Sequence, residues 1–126
     1  MTNSTRDPRT FPKEVRLLRS LEFQHVFGQK TSVADKTLVI FGASQSLSYP
    51  RLGMAVSRKV GNAVTRNYWK RVLREVFRQH RHTLPAGLDI VVLPRRGVPC
   101  NFAAVRQSLP SLMERLARRV HHSRPS

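Results

Sequence analysis

The sequence is poor in acidic residues, and this shortage limits the chemistry that the chain can perform. It contains 7 Asp and Glu against 23 Lys and Arg in 126 residues, a formal net charge of +16 at pH 7. A surplus of this size opposes compaction by self-repulsion and favours binding to polyanions. The acids lie at least seven residues apart in the sequence, so no local motif for Mg²⁺ exists. The composition therefore argues against a nuclease that holds its own metal ions.

Cysteine and long apolar runs are also scarce. Cys100 is the single cysteine, so the chain forms no internal disulfide, and no set of Cys and His has zinc-finger spacing. No run of 18 apolar residues occurs, and the first 16 residues are charged where a secretory signal requires an apolar segment. We therefore expect a cytoplasmic protein without a membrane partner. Its length suits one domain with its own core.

Apolar patterning predicts an α+β domain over residues 17–120, after a flexible basic arm at 1–16 and before a disordered tail at 121–126. A short helix is expected over 19–27, with Ser20 as its N-cap. Strands are expected over 36–43 and 51–57, which should pair with each other, and over 88–94. A long helix should run from an Asn62 cap to about residue 82. The last helix is expected over 101–120, with Pro110 kinking it or starting a new turn.

The long helix carries most of the information about function. At about 100° per residue, one apolar stripe collects five residues, namely Trp69, Val72, Leu73, Val76 and Phe77. Positive residues fill the adjoining arc. Between residues 58 and 81 Glu75 is the only acid, against Arg58, Lys59, Arg66, Lys70, Arg71, Arg74, Arg78 and Arg81. A merely solvated helix face normally mixes both signs, so this arc predicts a polyanionic partner. Arg predominates over Lys in the chain, which favours nucleic acid as that partner.

The run RLGMAVSRKVGNAVTRNYWKRVLREVF (51–77) resembles the signature region of the bacterial ribonuclease P protein family. In that region a strand ending in a basic pair leads through GNAV into a helix with an Arg-Asn-Arg motif and a following Lys-Arg. The segments FQHVF, TSVADKTLVIF and DIVVLPRRG resemble the same family in the same order. The resemblance covers roughly residues 11–98. Tyr68 departs from it, because the motif has its second Arg at that position, although the Tyr68 side chain could still stack or donate a hydrogen bond.

The resemblance implies a fold and a function. The fold would be a mixed four-stranded sheet packed with about three helices, with a left-handed βαβ crossover, as in ribosomal-protein-type RNA-binding domains. The fourth strand would lie within residues 29–50. The protein would join a catalytic RNA, and the complex would remove the 5′ leader from precursor tRNA. Mg²⁺ would be bound with the RNA subunit and the substrate, and the protein would contribute neither catalytic residues nor metal ligands.

The resemblance also implies two sets of site residues. The RNA-binding set is Arg58, Lys59, Asn62, Arg66, Asn67, Lys70, Arg71 and Arg74. For Asn67, the sequence leaves open whether it hydrogen-bonds RNA or holds the first turn of the helix. The second set would line a cleft for the leader and comprises Phe23, Phe27 and Phe41, whose rings can stack on any base. Without the resemblance, these three phenylalanines would be interpreted as ordinary core.

Three alternatives belong to other functional classes. A ribosomal or other structural RNA-binding protein would share the charge and a similar fold. A DNA-compacting protein would also be basic, but it would more typically use a dimer interface or an intercalating arm, whereas we expect this protein to be a monomer when free. A metal-free nuclease could use two histidines as acid and base. The candidates are His25, His80, His82, His121 and His122.

Overall fold

The described part of the chain folds as one sheet with three α-helices. The computed structural model describes residues 16–17 and 19–123. The strands are β1 (Thr31–Ala34), β2 (Leu38–Ser44), β3 (Arg51–Met54) and β4 (Leu88–Pro94). The helices are α1 (Ser20–Gly28), α2 (Ala63–His80) and α3 (Phe102–Ser123), and a short 3-10 helix, Arg58–Val60, precedes α2. This is the α+β architecture that the sequence predicted, and β1 is the fourth strand expected within residues 29–50.

The strand order is β1-β2-β4-β3. The pair β3–β4 is parallel, whereas β1–β2 and β2–β4 are antiparallel, so the sheet is mixed as expected. The prediction that the segments 36–43 and 51–57 pair with each other is wrong, because β4 lies between β2 and β3. β4 is apolar on both faces and buried along nearly its whole length, which favours the central position. The left-handedness of the β3–α2–β4 crossover stays a prediction of the resemblance.

One face of the sheet is covered by α2 and α3. The five apolar residues of the predicted stripe are the buried residues of α2. They pack in one cluster with Ile90 and Val92 of β4 and with the buried side of α3. α3 lies so close to β2 that a Cβ atom on Gly42 would be 2.4 Å from Leu116 Cδ2. A side chain at Gly42 would therefore force the Leu116 side chain to move.

The opposite face is covered in part by α1. Val26 of α1 packs there with Leu17, Ala43 and Val91 in a second, smaller cluster. α1 begins at Ser20, within the range expected for this helix, but Arg19 and not Ser20 occupies the N-cap position. The Arg19 amide donates to Glu22 Oε1 at 3.1 Å, which satisfies one backbone donor before the helix.

The predicted arm and tail lie mostly outside the described residues. Arg16, at the end of the arm, forms a parallel bridge with Leu52, and residues 1–15 are not described. At the other end, α3 continues through Ser123, whereas the sequence predicted a tail from residue 121. No proline or glycine occurs between Val120 and Ser123 to end the helix. α3 is continuous across Pro110, so this proline does not start a new helix.

An ion-pair network fixes the position of α1 on the sheet. Arg51 donates from Nε and Nη2 to the two carboxylate oxygens of Asp89 at 2.8 and 2.7 Å. Its Nη1 donates to Glu22 of α1 at 3.3 Å. Hydrogen bonding to Asp89 raises the pKa of the Arg51 guanidinium, so Arg51 stays charged. Asp89 is only 4 % exposed, and Arg51 is therefore the group that compensates its buried charge.

Replacing Arg51 by Ala should lower the free energy of unfolding by about 3 kcal/mol, because it leaves the Asp89 carboxylate buried without its counter-ion. The double variant Arg51→Leu/Asp89→Leu should lose clearly less, since no buried charge remains. Denaturant unfolding of both variants checks this, with Arg106→Ala as a control that removes an exposed positive charge from α3. A double variant less stable than the single one would contradict this account.

Candidate nucleic-acid interface

The turn that leads from β3 into α2 is held by local hydrogen bonds. Ser57 Oγ accepts from the Lys59 amide at 3.3 Å at the start of the 3-10 helix. Asn62 Oδ1 accepts from the Thr65 amide at 2.9 Å, so Asn62 is the N-cap of α2, as the sequence predicted. Arg58 and Lys59 are exposed on this turn. Two positive side chains therefore stand beside the helix start, where the amide groups also favour anions.

Gly61 allows the chain to pass tightly against the first turn of α2. A Cβ atom at this position would lie 2.9 Å from Thr65 Cβ, closer than side-chain atoms approach one another. The Gly61 carbonyl accepts from Arg66 Nε at 3.2 Å. Arg66 is consequently half-buried and fixed at the turn, and its planar guanidinium is oriented before any ligand binds.

The remaining positive residues extend this surface along α2. Arg71, Arg74 and Asn67 are exposed, and Lys70 is half-buried at the border with the apolar stripe. The first turn of α2 is capped by Asn62 and not by Asn67. We call this surface the basic helix face and define it by residues Arg66, Asn67, Lys70, Arg71 and Arg74. Arg78 follows on the same helix but forms an ion pair with Glu75.

Four acids of the described chain have partners within the protein, namely Glu22, Asp35, Glu75 and Asp89, and Glu114 is exposed on α3. Asp35 in the β1–β2 turn accepts from Ser108 Oγ at 2.5 Å and from the Thr37 and Leu38 amides. Burial alone would raise the pKa of Asp35, but these hydrogen bonds outweigh it and lower the pKa. Asp35, Asp89 and Glu22 therefore stabilise the fold, and the side chains of the basic helix face have no acidic partner among the contacts described above.

Potential catalytic groups are dispersed in the described residues. No group of three or more His, Cys, Asp or Glu residues there could hold a metal ion. His25 lies on α1, whereas His80 and His82 lie at or just beyond the end of α2, on the other side of the sheet. The His80 Nδ1 atom is 2.9 Å from the Val76 carbonyl oxygen, which engages that ring nitrogen within its own helix. The side chains of His121 and His122 are not among those described.

The three phenylalanines predicted for the cleft lie together on the α1 side of the sheet. Phe27 of α1 and Phe41 of β2 meet edge to face, with ring centroids 5.0 Å apart. Phe23 packs over Gly53 of β3, where a Cβ atom would be 2.8 Å from its ring. All three are half-buried against the smaller cluster, together with Ala55 and Leu93. We call this surface the aromatic cleft and define it by Phe23, Phe27 and Phe41.

The basic helix face and the aromatic cleft belong to opposite sides of the sheet. α2 packs in the larger cluster with α3, whereas the three phenylalanines pack in the smaller cluster with α1. The turn at residues 57–62 connects the two sides, because it follows the edge strand β3 and leads into α2. The described chain therefore has two separate surfaces, one basic and one aromatic.

Two features of this region were not predicted from the sequence, namely the ion pairs of Arg51 and the exposure of Val64 together with Tyr68. The Arg51–Asp89–Glu22 network positions α1, and only the rarity of acids could have drawn attention to Asp89 and Glu22. Val64 and Tyr68 are large apolar side chains exposed on α2, beside the basic helix face. Helical spacing could have predicted this exposure, because both residues fall outside the apolar stripe of α2.

Comparison with known proteins identifies the family of this chain. The profile of the ribonuclease P family matches residues 11–117. The ribonuclease P protein component of Chromohalobacter salexigens is 42 % identical over 113 residues, which cover 87 % of this chain and 88 % of that protein. Among solved structures, the RNase P protein from Thermotoga maritima matches with a TM-score of 0.73 and 35 % identity, over 79 % of this chain and 96 % of the other.

A second solved structure, the RNase P protein from Staphylococcus aureus, matches with a TM-score of 0.70 and 30 % identity, over 83 % of this chain and 91 % of that one. In the described residues, no helix is long and apolar enough to span a bilayer. Family profile, relatives and fold all point to one assignment. The chain belongs to the ribonuclease P protein family, the protein subunits of the endoribonuclease that processes tRNA.

Proposed function

We propose that this protein acts in ribonuclease P by binding two RNAs, the catalytic RNA subunit and the 5′ leader of precursor tRNA. The observation that carries the proposal is the separation of a basic surface on α2 from an aromatic surface formed by α1 and β2. The first suits the phosphates of a structured RNA. The second suits unpaired nucleotides, because stacking accepts any base. A protein with both surfaces can hold substrate and RNA subunit at once.

The donor groups do not fit a metal centre held by the protein. Asp89 is paired with Arg51, Asp35 with Ser108 and backbone amides, and Glu75 with Arg78. A carboxylate engaged in this way would have to break its ion pair or hydrogen bonds before it could coordinate Mg²⁺. We therefore propose that the Mg²⁺ of the complex is bound by the RNA subunit and the substrate, which also supply the chemistry of cleavage.

On the basic helix face, each side chain is proposed to neutralise a phosphate of the RNA subunit. Arg66 is oriented by its hydrogen bond to Gly61, and Lys70, Arg71 and Arg74 extend from it along the helix. Arg58 and Lys59 continue the surface at the turn. Asn62 is engaged as the helix cap, so any RNA contact it makes uses its remaining amide donors. Asn67 is exposed between these cations and is assigned to RNA as well.

In the aromatic cleft, the leader is proposed to lie on the partly exposed rings of Phe27 and Phe41, with Phe23 at the side of β3. Their edge-to-face packing fixes the rings before the leader arrives, so little side-chain freedom is lost on binding. We expect the free protein to be a cytoplasmic monomer, and sedimentation of the purified chain tests its monomeric state.

The protein alone should not cleave precursor tRNA, but it should increase cleavage by its RNA subunit when Mg²⁺ is low. The physical reason is that the +16 charge offsets phosphate repulsion between the two RNAs, which otherwise requires more Mg²⁺. Cleavage assays over a Mg²⁺ titration, with and without protein, measure this effect. Protein-only cleavage that survives ribonuclease treatment and repurification would contradict it.

Replacing Lys70 and Arg74 by Ala should weaken binding to the RNA subunit. It should also make the dependence of log affinity on log salt shallower by about 0.7 to 0.9 per lost phosphate contact. The matched control replaces Arg106 and Arg118, which are exposed on α3, and removes the same charge. Binding titrations at several salt concentrations distinguish the two. Equal slopes for both double variants would mean that net charge, and not the basic helix face, determines binding.

Replacing Phe27 by Leu should weaken binding of precursor tRNA to the complex by roughly 1 to 3 kcal/mol, the value of one lost stack, and leave mature tRNA unaffected. Leu keeps much of the apolar contact with Phe41, so the fold is preserved. Phe102→Leu is the control, because Phe102 is half-buried in the larger cluster, away from the cleft. Equal weakening for precursor and mature tRNA would contradict the leader assignment.

A further inference from the structure

A depression on the outer side of α2 combines apolar and positive side chains. Val64 is 77 % exposed and Tyr68 is 46 % exposed, and they lie one helical turn apart on the same side of the helix. With Asn67, Arg71 and Arg74 they line a depression of about 410 Å³. Among the described residues, the only other exposed large apolar side chain is Leu21 on α1. The two exposed apolar side chains of α2 therefore lie directly beside Arg71 and Arg74 of the basic helix face.

The chemistry of this depression selects its ligand. An aromatic face beside two guanidinium groups suits a planar π system that is covalently attached to negative charge. An unpaired nucleotide has both parts, a base for Tyr68 and a phosphate for Arg71 or Arg74. A protein partner with an apolar patch would leave both guanidinium groups without compensation. An acidic peptide would pair with them but would not use the ring.

We propose that Val64 and Tyr68 form a stacking site for one unpaired base of the ribonuclease P RNA subunit, with Arg71 and Arg74 on the adjoining phosphates. The proposal rests on the proposed function, because it assumes that the basic helix face binds that RNA. It also assigns a role to Tyr68, where the resembled motif has Arg. A base contact neutralises no phosphate, so its contribution to binding is insensitive to salt.

The test is binding of the full chain to the purified RNA subunit alone, without precursor tRNA, at several salt concentrations. Tyr68→Ala should weaken binding by about 5- to 150-fold, the range for one base stack, with an unchanged salt slope. Tyr68→Phe should bind like the original chain, because it keeps the aromatic face. Leu21→Ala is the control for loss of an exposed apolar side chain and should have no effect.

Acylation of RNA 2′-hydroxyl groups gives a second readout that reports on single nucleotides. At least one unpaired nucleotide should be held rigid by the original chain and by Tyr68→Phe, and should become reactive with Tyr68→Ala. Two results would contradict the proposed stacking. In the first, Tyr68→Ala binds as tightly as the original chain. In the second, Tyr68→Phe binds as weakly as Tyr68→Ala, which would indicate a contact through the Tyr68 hydroxyl. Failure of the proposed function would differ, because the original chain itself would then bind the RNA subunit no more tightly than an unrelated structured RNA of the same length.

Discussion

The burial of β4 on both faces is the constraint from which the rest of the structure follows. Its residues alternate between two clusters, with Ile90 and Val92 in one and Val91 in the other. Two long helices cover the first face. The second face has α1, which at nine residues is about 14 Å long, whereas a strand of seven residues extends for about 23 Å. A helix of that length covers only part of this face, and the aromatic cleft lies where α1 meets β2 and β3.

The same constraint explains why function is divided between two sides. Because the first face of β4 must be covered, the chain crosses from β3 to β4 through α2. One face of α2 is therefore buried in the core. Its other residues project to solvent and carry the unpaired charge of the basic helix face. The acids, which could have neutralised them, are used elsewhere to attach α1 and the β1–β2 turn. Internal ion pairs thus leave a net positive surface for RNA.

Much of this could be predicted from the sequence, because helical periodicity depends only on local spacing. The buried stripe of α2, its Asn62 cap and the outward direction of the basic residues are examples. Strand pairing could not be derived in the same way, since β2 and β3 are adjacent in sequence but separated by β4 in space. The grouping of Phe23, Phe27 and Phe41 came from the family resemblance, because periodicity alone does not distinguish a half-exposed ring from a core ring. The exposure of Tyr68 could be predicted from helical spacing. A binding role for it could not, because that role depends on the residues that line the depression around it.

The central claim is that two RNAs bind to opposite sides of one sheet, and amide NMR of the protein measures this directly. A short single-stranded RNA, used as a leader mimic, should shift the resonances of residues around Phe27 and Phe41 first. A structured fragment of the RNA subunit should shift those of residues 57–74. With both present, both sets should shift together without competition. If the two RNAs shift the same residues, or if one displaces the other, the division of function between the two surfaces is wrong.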